Sequence, residues 1–318
     1  MPIDALKRVI VIPRNGYINR LQAWASADIL AAGLAVPSQI LWEPEPVAPA
    51  PAELLFDQAH ATFLQRSEVD ALLGCAHESL PRYLTSLPGQ GVLFLAGHDA
   101  GEQVFMDQVQ KRLQEESPHT LVIVAGGRFH LASASDFTLA RKRFYEALVW
   151  SSELEQAYQD ARPGDLTYLG LHVRTTDRSV QAPSRSAMRE AIKDLAAETG
   201  LSSVFVAADT PAARDAWMRA VERLELDAWC APILQASRTQ TAGGISALVD
   251  WRLLAGSRGM VFTGVSSFAQ EAAVASGHLG SSRSLAASGL HRGARRARAL
   301  VGSALTYPQR HLWTRPSS

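Results

Sequence analysis

The sequence predicts an α/β protein built as two Rossmann-like domains that face each other across a cleft. Three observations carry this expectation. Short, continuous apolar runs recur along the chain, at 7–13, 92–96, 121–125, 166–174, 203–207 and 259–263, as in parallel strands covered on both faces. Segments with helical spacing lie between them. Several runs end in glycine, hydroxyl or charged residues, at the strand ends where open parallel sheets bind ligands. A chain of 318 residues is long enough for two cores. Its 47% hydrophobic and 19% charged content excludes a disordered or coiled-coil protein.

In the first half, the run at 7–13 is followed by an Arg14-Asn15-Gly16-Tyr17 turn and a periodic segment from Ile18 to Leu30, closed by Gly33. Strand, glycine turn and helix together aim backbone N–H groups and a positive helix end at the cleft. Ser38–Trp42 is a second strand. Residues 43–52, Glu-Pro-Glu-Pro-Val-Ala-Pro-Ala-Pro-Ala, cannot continue it, because repeated prolines remove donors and fix φ. They form a stiff surface loop bordering the cleft, where Glu43 and Glu45 are either acid/base groups or solvated carboxylates. The runs at 92–96 and 121–125 end in Gly97-His98-Asp99 and Gly126-Gly127-Arg128. Helices are expected at 102–114, with Phe105, Val109 and Leu113 on one face, and at 138–160. The second of these ends at Arg162-Pro163-Gly164-Asp165, a break that divides the chain into domains 1–162 and 163–318.

In the second half, the strand at 166–174 carries His172 and Arg174 on one face, since side chains alternate with period 2. Asp177 and Arg178 follow. Arg174 presents a planar, permanently charged fork suited to phosphate oxygens. After a helix at 186–199 and a strand at 203–207 comes Asp209, placed either to accept from a ribose or base edge or to help cap the next helix. Thr210 and Pro211 are the N-cap and first helical residue of that helix. A helix at 247–254 and a strand at 259–263 lead into Gly264-Val265-Ser266-Ser267-Phe268 and a small-residue helix at 269–276. Hydroxyls and unpaired helix N–H groups offered together make a phosphate-cradling layout. The basic stretch His291–Arg298 is a solvated helix face, and Trp313 docks back onto the body.

Other features exclude function classes. Formal net charge is zero, which argues against broad binding to nucleic acid or anionic membrane. The two cysteines, Cys75 and Cys230, belong to no metal or disulfide pattern and are expected as buried free thiols. With no secretory h-region and no long apolar span, a soluble, cytoplasmic protein is expected. Neither a G-x-G-x-x-G at the first turn nor a G-x-x-x-x-G-K-[ST] is present. Dinucleotide dehydrogenases and P-loop proteins therefore lose their main support, and a nucleotide-sugar transferase fits better.

Gly170-Leu-His-Val-Arg-Thr-Thr-Asp177 resembles the G-x-H-x-R-x-x-D motif of the fucosyltransferase superfamily, which includes α1,6-, nodulation and protein O-fucosyltransferases. Later segments are similar in the same order. Val204-Phe-Val-Ala-Ala-Asp209 resembles the family's apolar strand ending in Asp, and Val265-Ser-Ser-Phe268 its S-S-F segment. Gly16-Tyr-Ile-Asn-Arg20 resembles the N-terminal G-x-G-N-R turn.

The resemblance implies a GT-B-like fold, a GDP-sugar donor (GDP-fucose or a related GDP-hexose), a hydroxyl acceptor, inversion at the anomeric carbon, and no metal or other cofactor. Carried over by position, Arg174 would bind the β-phosphate and Asp177 would join it as a catalytic group. His172 and Asp209 would contact guanosine; Ser266, Ser267 and the backbone at Phe268 would hold phosphate oxygens. Gly16, Asn19 and Arg20 would face donor or acceptor across the cleft. The chain departs from the pattern at Thr175, where many members carry a second Arg, and at Arg178, where they carry Lys. Their following Glu is replaced by Ser179-Val-Gln-Ala182. Asp28, Glu43, Asp99 and Asp177 are candidates for the general base. The missing Glu motivates the alternative, a non-catalytic GDP-sugar or glycan binding protein of the same fold.

Overall fold

A computed structural model of the chain describes residues 5–81, 85–96, 102–129, 134–175, 183–232, 240–264 and 266–286. These form two five-stranded sheets. The first contains β1 (Arg8–Pro13), β2 (Ser38–Ile40), β3 (Thr85–Leu87), β4 (Val92–Ala96) and β5 (Thr120–Ala125), in the order β2-β1-β5-β4-β3. All its pairs are parallel except β3 with β4 at the edge. Val9, Ile10, Val11 and Ile12 are all fully buried, which is why the sequence shows an unbroken apolar run rather than alternation.

The second sheet contains β6 (Leu169–Val173), β7 (Ser203–Ala208), β8 (Asp227–Trp229), β9 (Met260–Thr263) and β10 (Arg283–Leu285), in the order β10-β9-β6-β7-β8, parallel throughout. From β6 the chain proceeds to β7 on one side, and from β9 to β10 on the other. The neighbours β6 and β9 therefore flank the point where the strand order reverses, the place where open α/β sheets leave a crevice for a ligand.

Helices α1 (Tyr17–Gly33), α2 (Arg66–Leu73) and α3 (Glu102–Glu116) belong to the first half. The single helix expected over 138–160 is two, α4 (Ala134–Ala147) and α5 (Ser152–Ala161). Between them the backbone pairs with 55–57: Asp57 N–H donates to the Val149 carbonyl and Ser151 N–H to the Leu55 carbonyl, both at 3.0 Å. The Ser151 hydroxyl then accepts from Leu154 N–H and starts α5. A serine read as helix interior is thus a cap.

The second half adds α6 (Arg185–Thr199), α7 (Pro211–Glu222), α8 (Thr241–Ala255) and α9 (Ser267–Ala275). Thr210 caps α7 and Pro211 is its first residue, as the sequence suggested. The strands before Arg162 lie in one sheet and those after it in the other. α4 and α5 nonetheless reach across, α4 packing on α9 and α5 on α8. The Tyr17 side chain of α1 reaches α8 at Gly244, where a Cβ would fall 2.2 Å from its hydroxyl.

Both cysteines are free and half-buried. Among the described residues no helix is long and apolar enough to cross a membrane. Gly97-His98-Asp99, Asp177, Arg178, Val265, the stretch 291–298 and Trp313 lie outside the described residues.

Candidate functional site

The ends of β6 and β9 hold the residues that the motifs singled out. Arg174 follows β6 directly, and its backbone N–H reaches the Thr263 hydroxyl at the end of β9 (3.4 Å). The next residue is clamped from the other side: Thr175 N–H and Oγ1 both donate to the Asp209 carboxylate, each at 2.8 Å. Asp209 does not cap α7, since Thr210 does. It fixes the backbone beside Arg174, which lets a charged side chain of high rotamer entropy extend from a rigid base. His172 is buried and stacks on Phe268, ring centroids 5.2 Å apart and planes 24° from parallel. That contact joins β6 to the first turn of α9.

Helix α9 starts at Ser267, two residues earlier than expected, so Ser267 and Phe268 lie in its first turn where N–H groups lack intrahelical partners. Ser266 precedes this turn. It occupies the N-cap position with its side chain fully buried, and its hydroxyl has no hydrogen-bond partner among the described residues. Ser267 does face the cleft, and its hydroxyl donates to Asn19 Oδ1 on the opposite half (3.0 Å). One turn further on, Glu271 anchors the helix. It is fully buried, accepts from Gln22 Nε2 and Tyr145 Oη at 2.8 Å each, and pairs with Arg141. Burial, then the neighbouring Glu271 charge, pushes the Tyr145 phenol well above its ordinary pKa, so it stays a hydrogen-bond donor.

On the opposite wall, the turn residue with positive φ is Asn15 (φ 70°), while Gly16 is extended and caps the start of α1. A Cβ on Gly16 would meet nothing within 4 Å, so this backbone faces open cleft. Arg20, from the same turn, lies in an ion-paired cluster behind this wall. It is fully buried, lies over the Trp42 ring, donates to the carbonyls of Asn15 and Glu43, and pairs with Glu45 at 3.0 Å. Burial works to lower its pKa while Glu45 opposes the shift. Glu45 also pairs with Arg14, and Glu43 with Arg14 and Arg66. Burial disfavours ionised Glu43, but the His77 hydrogen bond and the Arg14 charge outweigh it and hold its pKa low. These two carboxylates are committed to ion pairs, not poised as bases. Asp28 likewise accepts from Ser38. Ligand atoms of Glu43, His77 and Glu78 do lie within 4.8 Å of one another. The guanidiniums of Arg14 and Arg66 pair with those carboxylates and make the group an ionic knot.

Between the walls is a cavity of about 460 Å³, within the range of small-ligand sites. Its first-half lining is Asn15, Gly16, Tyr17, Ile18, Asn19, Pro46 and Val47; His172, Arg174, Asp209, Ser267 and Phe268 line the other side. Two further charged residues line it, Arg214 on α7 and Asp250 on α8. Burial pushes the Asp250 carboxyl up to about 7, with Arg214 opposing the shift. A lone acidic residue in the otherwise apolar stretch Ala247-Leu-Val-Asp-Trp251 was the available signal.

No protein-family model matches the sequence, and no curated protein matches it. Solved structures do share its fold. The NodZ α1,6-fucosyltransferase co-crystallised with GDP superposes with a TM-score of 0.53 at 20% identity, over 84% of this chain and 91% of that one. POFUT1 in complex with GDP-fucose gives 0.54 at 15% identity, over 88% and 97%. NodZ from Bradyrhizobium gives 0.53 at 19%, over 84% and 92%. The architecture is that of these GT-B fucosyltransferases: two Rossmann-like units facing each other across a cleft.

Proposed function

We propose that this chain is an inverting, metal-independent glycosyltransferase that moves fucose or a related hexose from GDP to a hydroxyl acceptor. In this reading residues 163–318 bind the donor and residues 1–162 the acceptor. The observation that carries it is the convergence of Arg174 with the first turn of α9 at the strand-order reversal of the second sheet. Structural neighbours that bind GDP and GDP-fucose support the choice of nucleotide.

The acceptor oxygen attacks the anomeric carbon as the bond from that carbon to the β-phosphate oxygen breaks. The bonding pair leaves with GDP, so negative charge grows on the diphosphate. Arg174 and the N–H groups at Ser267 and Phe268 meet that charge from fixed positions, a task performed elsewhere by a divalent cation. His172, held against Phe268, walls the nucleotide side. Asp250 accepts from the N–H edge of guanine, which gives a physical reason for GDP over UDP. Asn19, bonded to Ser267, sits where the transferred sugar passes between walls. Asp177, three residues beyond Arg174, takes the acceptor proton.

Thermal-shift measurements with GDP, UDP and dTDP test the donor, followed by GDP release from GDP-fucose with and without EDTA. GDP alone should raise the melting temperature, and release should be unaffected by the chelator. No shift with GDP, or release abolished by EDTA, contradicts the proposal.

A further inference from the structure

The first-half wall of the cleft bears no charged side chain among the described residues, although four charged groups stand just behind it. Arg14, Arg20, Glu43 and Glu45 pair with one another there and offer no net charge to a ligand. What the wall presents instead is Pro46 and Val47, the tip of a two-residue hairpin closed by Glu45 N–H to the Ala48 carbonyl (3.1 Å) and Ala48 N–H to the Glu45 carbonyl (2.9 Å). Val47 is 56% exposed and lines the cavity.

That tip is held firmly. Glu45 bridges Arg14 at 2.7 Å and Arg20 at 3.0 Å. Ala48 and Ala50 are fully buried; Ala50 N–H donates to the Tyr17 hydroxyl, and its carbonyl accepts from Trp42 Nε1. These bonds hold the tip with Val47 exposed and lining the cavity. Beside the tip Ile18 and the Tyr17 ring add hydrocarbon, and Asn15 and Asn19 add uncharged polar groups.

From this we infer that Pro46 and Val47 select the acceptor: a neutral molecule whose hydroxyl stands beside a hydrocarbon surface, which rests on that valine. The inference builds on the GDP-sugar reading above and adds the acceptor's chemical class. Charged acceptors gain nothing from a wall whose ions are already paired, while apolar surface laid on Val47 and Pro46 leaves water.

Binding of methyl and hexyl β-glucoside to the GDP-saturated protein, followed by ligand-detected NMR, tests it. Hexyl glucoside should bind at least about tenfold more tightly than methyl, as expected for several methylenes leaving water. Val47→Asp should bring the two within about threefold in protein still saturated with GDP. If Val47→Asp fails to fold, Val47→Thr, close in shape but with a hydroxyl, should show the same loss in part. Equal affinities for the two glycosides, no binding of either, or an undiminished preference in a folded variant overturns the inference. Absence of a GDP shift in the wild-type chain instead overturns the donor reading, so the two failures are distinguishable.

Discussion

At the C-terminal ends of β1 and β5 the space is filled by Asn15, whose side chain donates to the Gly126 carbonyl at 3.1 Å and lies so close that a Cβ on Gly126 would sit 2.2 Å from it. At the ends of β6 and β9 the Thr263 hydroxyl accepts from Arg174 N–H at 3.4 Å. Beyond them Arg174, Ser267 and Phe268 line a cavity. Both halves are open sheets with covering helices, and both place cationic side chains near their strand ends. In the first half Arg14 and Arg20 turn into the protein and pair with Glu43 and Glu45; in the second, Arg174 and Arg214 line the cleft. Strand polarity alone does not make a binding site. What differs is where the charges point: Arg174 and Arg214 line the cavity, and Arg14 and Arg20 are not in its lining.

The joint between the halves gives the largest expected effect. Glu271→Ala leaves Arg141, Tyr145 and Gln22 without their shared acceptor in the interior, and should cost about 3–5 kcal/mol in urea unfolding. Glu271→Gln keeps one acceptor oxygen and should cost less. Next is the charged wall itself: Arg174→Ala should lower the rate of GDP release from GDP-fucose by about 10²–10³-fold with little change in melting temperature. Arg174→Lys should recover only part of this, because a point charge cannot make the bidentate contact.

Asp250 sharpens the comparison through pH. Its pKa in the folded chain is about 7, raised by burial, against about 4 in the unfolded chain. The folded state therefore holds this proton more tightly, so the group's contribution to stability grows as pH falls from about 7 toward about 4 and is lost as pH rises through about 7. GDP binding through the ionised carboxylate runs the other way, weakening up to about tenfold per pH unit below that point. Asp250→Asn should flatten both slopes, as read by thermal shift and GDP titration from pH 5 to 8. The smallest effect belongs to the paired wall. Arg66→Ala removes a half-exposed member of the ionic knot and should cost under about 1 kcal/mol, leaving GDP affinity unchanged.

The parts legible in the sequence are those with a local signature. β1, β6, β7 and β9 are continuous apolar runs because both faces are buried, and Thr210-Pro211 announces α7 by its cap. β3, β8 and β10 were missed because each is a three-residue strand at a sheet edge with no run to read. α2 buries only Val69 and Leu73, and its capping box uses Gln65 with Glu68 in place of a serine or threonine. The site divides in the same way. Asn19 and Arg20 are adjacent in a motif-like turn, yet about 100° of helical rotation separates them. One faces the cleft and the other the ionic knot, a difference fixed by Glu45 and the Asn15 carbonyl, distant in sequence from any motif. Asp250 was missed because what marks it, burial beside Arg214, is a tertiary fact.

A crystal structure of the chain soaked with GDP tests most directly the claim that the ends of β6 and β9 form the donor site. The diphosphate should lie between the Arg174 guanidinium and the first turn of α9, with guanine toward Asp250. A nucleotide bound at the β1–β5 edge, or bound in the cleft with Arg174 turned to solvent, would contradict the account.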